Sequence, residues 1–274
     1  MPELKIRLKN FRAVFRLCRA GLHLLWAVVT VACAFPFLPI QLQRALRVRW
    51  SRQLLEVLGI QLRISGIPSA GGLLVSNHIS WLDIYAINAS VPSNFVSKDE
   101  VRAWPLVGWL SAQTETVFLE RGSRNAAMRA KMTLVDELRK RSCIAVFPEG
   151  TTSKGDTVLP FHSALFQSAI DAGIHVKPVT MRYTDRDEMP SAAPAYVGET
   201  TLWQCLLAIV SADRLTAHVD FLPAFDPAGI NRRQLAEQTH RLVAKHLARQ
   251  VTAVQVDDTR SDGEFLSCAG ALQE

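Results

Sequence analysis

One histidine in the chain is followed by a carboxylate at a spacing that chemistry can use. The stretch Asn77-His78-Ile79-Ser80-Trp81-Leu82-Asp83 comes directly after the apolar run Leu73–Ser76. Of the seven histidines, only His78 has an acidic residue five positions later. On one continuous helix five positions subtend about 140°, at 3.6 residues per turn, so the two side chains would not face each other. They meet if His78 ends a strand and Asp83 lies in the first turn of the next helix, for which Ser80-x-x-Asp83 is a start signal. The carboxylate then accepts a hydrogen bond from one imidazole nitrogen, which fixes the tautomer and raises the basicity of the other nitrogen. Taken alone, this spacing reads about equally well as a surface or satisfied histidine.

Three further blocks carry polar chemistry at the ends of apolar runs. Phe118-Leu119-Glu120-Arg121-Gly122-Ser123-Arg124 places Arg121 where it could grip a phosphate or carboxylate bidentately, beside a helix N-terminus. Alternatively Arg121 is a solvated arginine at a strand end. Phe147-Pro148-Glu149-Gly150-Thr151-Thr152-Ser153 forms a polar loop whose glycine lets the backbone approach a ligand, or an ordinary turn. Val176-Lys177-Pro178-Val179 leads into a strand, with simple strand punctuation as the plain reading. No G-x-S-x-G elbow supplies a nucleophilic serine, and Cys143 lies in an apolar run that makes it core filling. The five cysteines, Cys18, Cys33, Cys143, Cys205 and Cys268, are odd in number and contain no C-x-x-C pair. Neither a disulfide framework nor a zinc site is expected, and a reducing compartment fits.

Elements must hold these blocks in place. Strands are expected at Leu73–Ser76, Phe95–Ser97, Thr116–Leu119, Ile144–Phe147, Lys177–Arg182 and His218–Leu222, and helices at about Asp83–Ala89, Ser123–Lys140, Ser163–Ala172 and Arg232–Arg249. This alternation predicts an α/β domain with a mostly parallel sheet flanked by helices, and sites on such sheets lie at the C-terminal strand ends. The expected division is a helical segment over 1–65, a domain over 66–250 opening with the turn-rich linker Gly66–Gly72, and a loose tail over 251–274.

The N-terminal segment reads as membrane-associated. Ala20–Ile40 contains no Asp, Glu, Lys or Arg, about the 20 residues that a span needs. Pro36 and Pro39 favour a helix that enters and turns back. Leu42, Leu46, Trp50, Leu54 and Leu58 then mark a basic amphipathic helix in the lipid interface. The formal charge of +6 is concentrated here, in arginines and lysines flanking the apolar stretch. That pattern suits anionic lipid and a hairpin with both ends cytoplasmic, and it does not suit nucleic acid. A signal peptide ending near Ala32-Cys33-Ala34 and a buried core helix are the competing readings.

Taken together and in order, the four blocks resemble the glycerolipid acyltransferases of the 1-acylglycerol-3-phosphate type, over about residues 70–185. Asn77, His78 and Asp83 match N-H-x-x-x-x-D. Phe118, Leu119 and Arg121 match the second block, with Glu120 where aspartate is more usual. Phe147, Pro148, Glu149, Gly150, Thr151 and Ser153 match F-P-E-G-T-x-S, and Val176 and Pro178 match the fourth. The resemblance implies that His78 takes the proton of an acceptor hydroxyl, that Asp83 orients it, and that the alkoxide attacks an acyl thioester. It also implies that Arg121, Glu149, Gly150, Thr151 and Ser153 bind the acceptor's head, with Glu149 bonding a hydroxyl or pairing with Arg121. The donor would be acyl-CoA or acyl carrier protein, whose phosphates Lys98 could attract, and no metal or resident cofactor is implied. The acceptor is a lysolipid, 1-acylglycerol-3-phosphate by default and lyso-ornithine lipid as the main competitor, at the cytoplasmic face of a bacterial inner membrane. Two rivals are a non-catalytic membrane-binding protein that keeps the fold and a thioesterase or lipid hydrolase.

Overall fold

The computed structural model describes residues 2–119 and 124–250. Arg121, its neighbours in the second block from Glu120 to Ser123, and the expected tail over 251–274 lie outside the described residues.

Short apolar runs become strands and the stretches between them become helices. In order these are α1 (Pro2–Cys33), a 3-10 turn (Phe35–Phe37), α2 (Ile40–Leu58), β1 (Ile60–Ser65), β2 (Gly72–Ser76), α3 (Leu82–Ser90) and β3 (Asn94–Lys98). There follow α4 (Val107–Gln113), β4 (Val117–Leu119), α5 (Arg124–Arg139), β5 (Cys143–Val146), α6 (Phe166–Ala172), β6 (Val176–Thr184), α7 (Leu202–Ser211) and β7 (Leu215–Phe221). A last helix, α8, covers 232–250. The strands form one sheet in the order β1-β7-β6-β2-β5-β3-β4. Every neighbouring pair is parallel except β6 and β7.

The central strand shows why the sheet is two-sided. All five residues of β2 are buried, as expected where helices cover both faces. Leu74 joins Ala145, Met181 and Val219 in a core under α2, α3 and α7. Leu73 and Val75 join Ile144, Val146 and Phe166 in a second core on the opposite face.

Two expectations about the N-terminal region change. The sheet takes in Ile60–Ser65, paired in parallel with Leu215–Asp220, so the fold begins before the Gly66–Gly72 linker and a boundary at 65/66 cuts between two strands. The run Ile60-Gln61-Leu62-Arg63-Ile64-Ser65 alternates apolar and polar, as an edge strand with one covered face does. The α2 helix is also not simply an interfacial helix. From Arg47 onward it buries Arg47, Ser51, Leu54, Leu55 and Leu58, packed on the domain, so the end of the four-residue stripe at Leu54 and Leu58 serves a protein core, while Leu42 at its start is exposed. The helices α4 and α7 were not foreseen.

The hairpin itself forms. The His23 ring stacks on Trp50 with centroids 4.8 Å apart, and the Trp50 indole N–H donates to the His23 carbonyl at 3.3 Å, so α1 and α2 run back along each other. From α1 into the 3-10 turn, Asn10–Phe37 is long and apolar enough to cross a membrane, and Leu22, Leu25, Trp26 and Val29 of α1 are exposed. Its basic half is tied to the domain. Arg16 donates to the carbonyls of Val210 and Ala212 at 3.0 and 2.8 Å, which answers the free carbonyls at the end of α7 with positive charge.

Candidate active site

The site is built where β2 ends. Asn77 is fully buried and its side chain takes the place of a backbone rung: Nδ2 donates to the Met181 carbonyl at 2.9 Å, and the Met181 N–H donates to Oδ1 at 2.8 Å. The sheet contact between β2 and β6 thus continues while the main chain from His78 onward is free to turn.

That turn wraps around one carboxylate. Asp83, in the first turn of α3 and 0% exposed, accepts from the backbone N–H groups of Ile79 and Ser80 at 2.7 and 3.0 Å. The His78 Nδ1 lies 2.9 Å from the same oxygen. Because an ionised carboxylate only accepts, it holds the imidazole proton on Nδ1 and leaves the Nε2 lone pair outward. Among the described residues nothing bonds Nε2, and the His78 side chain is 19% exposed. The expected start signal operates with its roles shifted: the Ser80 hydroxyl accepts from the Leu82 N–H at 3.3 Å, while the Ser80 N–H reaches Asp83.

The loop after β5 locks the histidine from the other side. Phe147 stacks on the His78 ring with centroids 3.9 Å apart and planes 10° from parallel. The Ser153 N–H donates to the His78 carbonyl at 2.8 Å and its hydroxyl does so at 3.2 Å. Glu149 is nearly buried, at 4% exposed. Its two oxygens accept from the His78 N–H at 3.0 Å and the Leu159 N–H at 3.3 Å. Burial pushes its carboxyl up to about 7, against the opposite pull of those two N–H donors. Glu149 and Ser153 therefore brace the His78 loop in this structure rather than projecting into open space. Gly150 needs its φ of +70°, which only glycine adopts without strain. Gly150 and Thr151 are exposed beside the dyad loop, and Lys98 is exposed at the end of β3. Val176 and Pro178 are buried in β6, where Pro178 pairs with Val75, so the fourth block shapes the sheet. Cys143 is buried with its thiol pushed up by burial, as core filling would be.

Two features escaped the sequence reading. Tyr183, 3% exposed on β6, donates its hydroxyl to the second oxygen of Asp83 at 2.7 Å. It lies 100 positions away in the chain, and no local pattern marks it. Phe147 was seen as part of a block, but its stacking on His78 was not. Among the described residues no group of three or more His, Cys, Asp or Glu is arranged to hold a metal ion.

A family model described as Acyltransferase matches residues 60–182, a span that runs from β1 through β6. A lyso-ornithine lipid O-acyltransferase of Pseudomonas aeruginosa is 36% identical over 71% of this chain and 75% of its own length. A 1-acyl-sn-glycerol-3-phosphate acyltransferase of Neisseria meningitidis is 37% identical over 77% of this chain and 81% of its own. The crystal structure of the 1-acyl-sn-glycerophosphate acyltransferase PlsC from Thermotoga maritima superposes with a TM-score of 0.69 at 19% identity, covering 89% of this chain and 97% of that one, which speaks for the fold. With a His–Asp pair held at a strand end, relatives of this identity and a shared architecture, the chain belongs to the acyltransferase family and is an acyltransferase.

Proposed function

We propose that the chain moves a fatty acyl group from a thioester to the free hydroxyl of a lysolipid, with His78 as general base. The observation that carries this is the His78 ring itself: Nδ1 is held by Asp83, while Nε2 is without a partner among the described residues. In this reading Nε2 takes the hydroxyl proton as the acceptor oxygen attacks the acyl carbonyl. Asp83 stabilises the imidazolium that forms, and the proton passes to the departing thiolate. Burial of Asp83 under three donors besides His78 supports this role. Glu149 and Ser153 act by fixing the His78 loop, and the exposed Gly150 and Thr151 are offered to the acceptor head, with Arg121 as its anionic-group ligand. The donor is acyl-CoA or acyl carrier protein, with Lys98 at the rim.

The acceptor is 1-acylglycerol-3-phosphate, which would give phosphatidate, as the name of the Neisseria relative suggests. A second reading is lyso-ornithine lipid, the acceptor named for the Pseudomonas relative. One observation favours it: a cavity of about 220 Å³ behind Ile79 carries both signs of charge, Lys154 and Arg182 against Asp156 and Glu188. Such a lining suits a head group with both a carboxylate and an ammonium. A membrane location, at the cytoplasmic face and on anionic lipid, is supported by the exposed apolar face of α1 and its basic flank.

The test supplies membranes carrying the chain with labelled acyl-CoA and acyl carrier protein donors and both lysolipids side by side. Transfer to one acceptor, lost in His78→Ala, is the expected result. Fatty acid release without transfer would point to a hydrolase. No reaction with retained membrane binding would point to a non-catalytic role.

A further inference from the structure

Asp83 has two oxygens, and they are treated differently. One is crowded by His78 Nδ1 and two backbone N–H groups. The other has a single partner among the described residues, the Tyr183 hydroxyl at 2.7 Å. Both side chains are buried, at 0% and 3% exposed, so no solvent competes for that oxygen. A buried carboxylate oxygen without a donor is costly, and a hydrogen bond to a charged group is stronger than one between neutral groups.

The position of Tyr183 is fixed by the sheet rather than by the loop. Asn77 clips the end of β2 to Met181. Side chains two apart on a strand share a face, and Met181 and Tyr183 both enter the core that covers α3. The asparagine that begins the His78 block thereby sets the register that delivers the phenol over Asp83. Burial, and then the negative charge of Asp83, hold the phenol well above its usual range, so it remains a donor wherever the enzyme works.

We propose that Tyr183 is a positioning residue for acyl transfer, fixing the rotation of the Asp83 carboxylate so that its other oxygen stays on His78 Nδ1. It touches neither substrate nor the imidazole and acts only through Asp83. This rests on the reading of His78 as the base. The other titratable groups around the pair are Glu149, bonded to the His78 N–H, and Cys205 of α7, whose thiol burial pushes up with a smaller push from Asp83.

The experiment is a double-mutant cycle with Tyr183→Phe, Asp83→Asn and the pair, in full-length chain in membranes, with kcat, KM and the pH profile measured. Tyr183→Phe keeps the ring and removes one oxygen. It is expected to lower kcat roughly 10- to 100-fold, the scale of one hydrogen bond to a charged group, with KM changed less than about threefold. With the carboxylate free to turn, its hold on the imidazolium weakens, so the acid limb of the kcat profile moves to lower pH. In the Asp83→Asn background the same change adds less than about threefold, because the group through which Tyr183 acts is gone. Losses that multiply in full, or an unshifted acid limb, would mean a role in packing only and overturn the proposal. So would a Tyr183→Phe enzyme with wild-type kcat. Wild-type chain that transfers to neither acceptor overturns the functional reading and this one with it. Circular dichroism of each variant separates loss of fold from loss of rate.

Discussion

Among the described residues two histidine–aspartate pairs border the sheet, and they are held in different ways. At the end of β2, Asp83 collects two backbone N–H groups, a phenol and the His78 imidazole, and it leaves the second ring nitrogen of His78 outward. On the opposite face, Asp220 of β7 lies 3.1 Å from the Nε2 of His246 on α8. It also accepts from the Ser65 hydroxyl of β1 at 2.6 Å and the Thr180 hydroxyl of β6 at 3.4 Å. Nearby, His218 is buried between Arg182 and Thr184, whose atoms approach its two ring nitrogens at 3.0 and 2.9 Å. The residue types match, but the second set joins three strands and a helix by side chains, with both nitrogens of His218 engaged. A histidine–aspartate contact is therefore not a signature by itself. Among the described residues the Nδ1 of His246 is also without a bond, so what separates the two pairs is the backbone N–H support for Asp83, where Asp220 is held by side chains.

The sharpest test of that contrast is a pair of substitutions. His78→Ala is expected to lower acyl transfer about 10²- to 10⁴-fold, the usual contribution of a general base, whereas His246→Ala should leave kcat within about twofold. An equal loss in both would erase the distinction. Next in size is Asp220→Asn, which leaves the Ser65 and Thr180 hydroxyls and His246 imperfectly matched. It is expected to cost about 1–3 kcal/mol of stability, read as a lower apparent melting temperature, while kcat per folded enzyme holds.

The pH dependence of stability sharpens the comparison further, because the two regions pull in opposite directions. Burial raises the Glu149 carboxyl from 4.5 to about 7. Its stabilising share is fully present below 4.5 and is lost as pH rises through about 7. Burial, aided by the Arg182 guanidinium, lowers the His218 imidazole from 6.5 to about 4. Its share is present above 6.5 and is lost as pH falls through about 4. Across pH 4.5–6.5 the slopes oppose each other. Melting temperature against pH is expected to tilt upward in Glu149→Gln and downward in His218→Asn, relative to wild type. A tilt of the wrong sign in either would show that burial does not govern that group. The smallest effect is expected from Ser153→Ala. The His78 carbonyl keeps the Ser153 N–H, so kcat should fall only about two- to fivefold, the scale of a weak neutral hydrogen bond.

Strand positions were legible where a strand is buried on both faces. Gly72–Ser76 and Cys143–Val146 are continuous apolar runs because helices cover them above and below. Ile60–Ser65 alternates apolar and polar at the period of a strand, but only its pairing with Leu215–Asp220 at the far end of the chain shows that it joins this sheet. The α2 stripe was visible, but a stripe does not say what it faces. Leu54 and Leu58 face the protein, and Arg47, which lies off the stripe, is buried in an ion pair with Glu115 at 2.7 Å.

By itself the sequence determined the local chemistry. His78 and Asp83 are five residues apart across a strand end and a helix start, so backbone geometry alone brings them within reach. The glycine and proline of the 147–153 loop likewise set its turn. Tertiary structure decided what holds that chemistry in place. Tyr183 reaches Asp83 only because β6 lies beside β2, and the Glu149 carboxylate meets the His78 N–H only because β5 lies on the other side of β2. These are contacts between strands that are neighbours in the sheet and distant in the chain. Their spacing in the sequence carries no periodic signal, since the connecting helices and loops can be of any length.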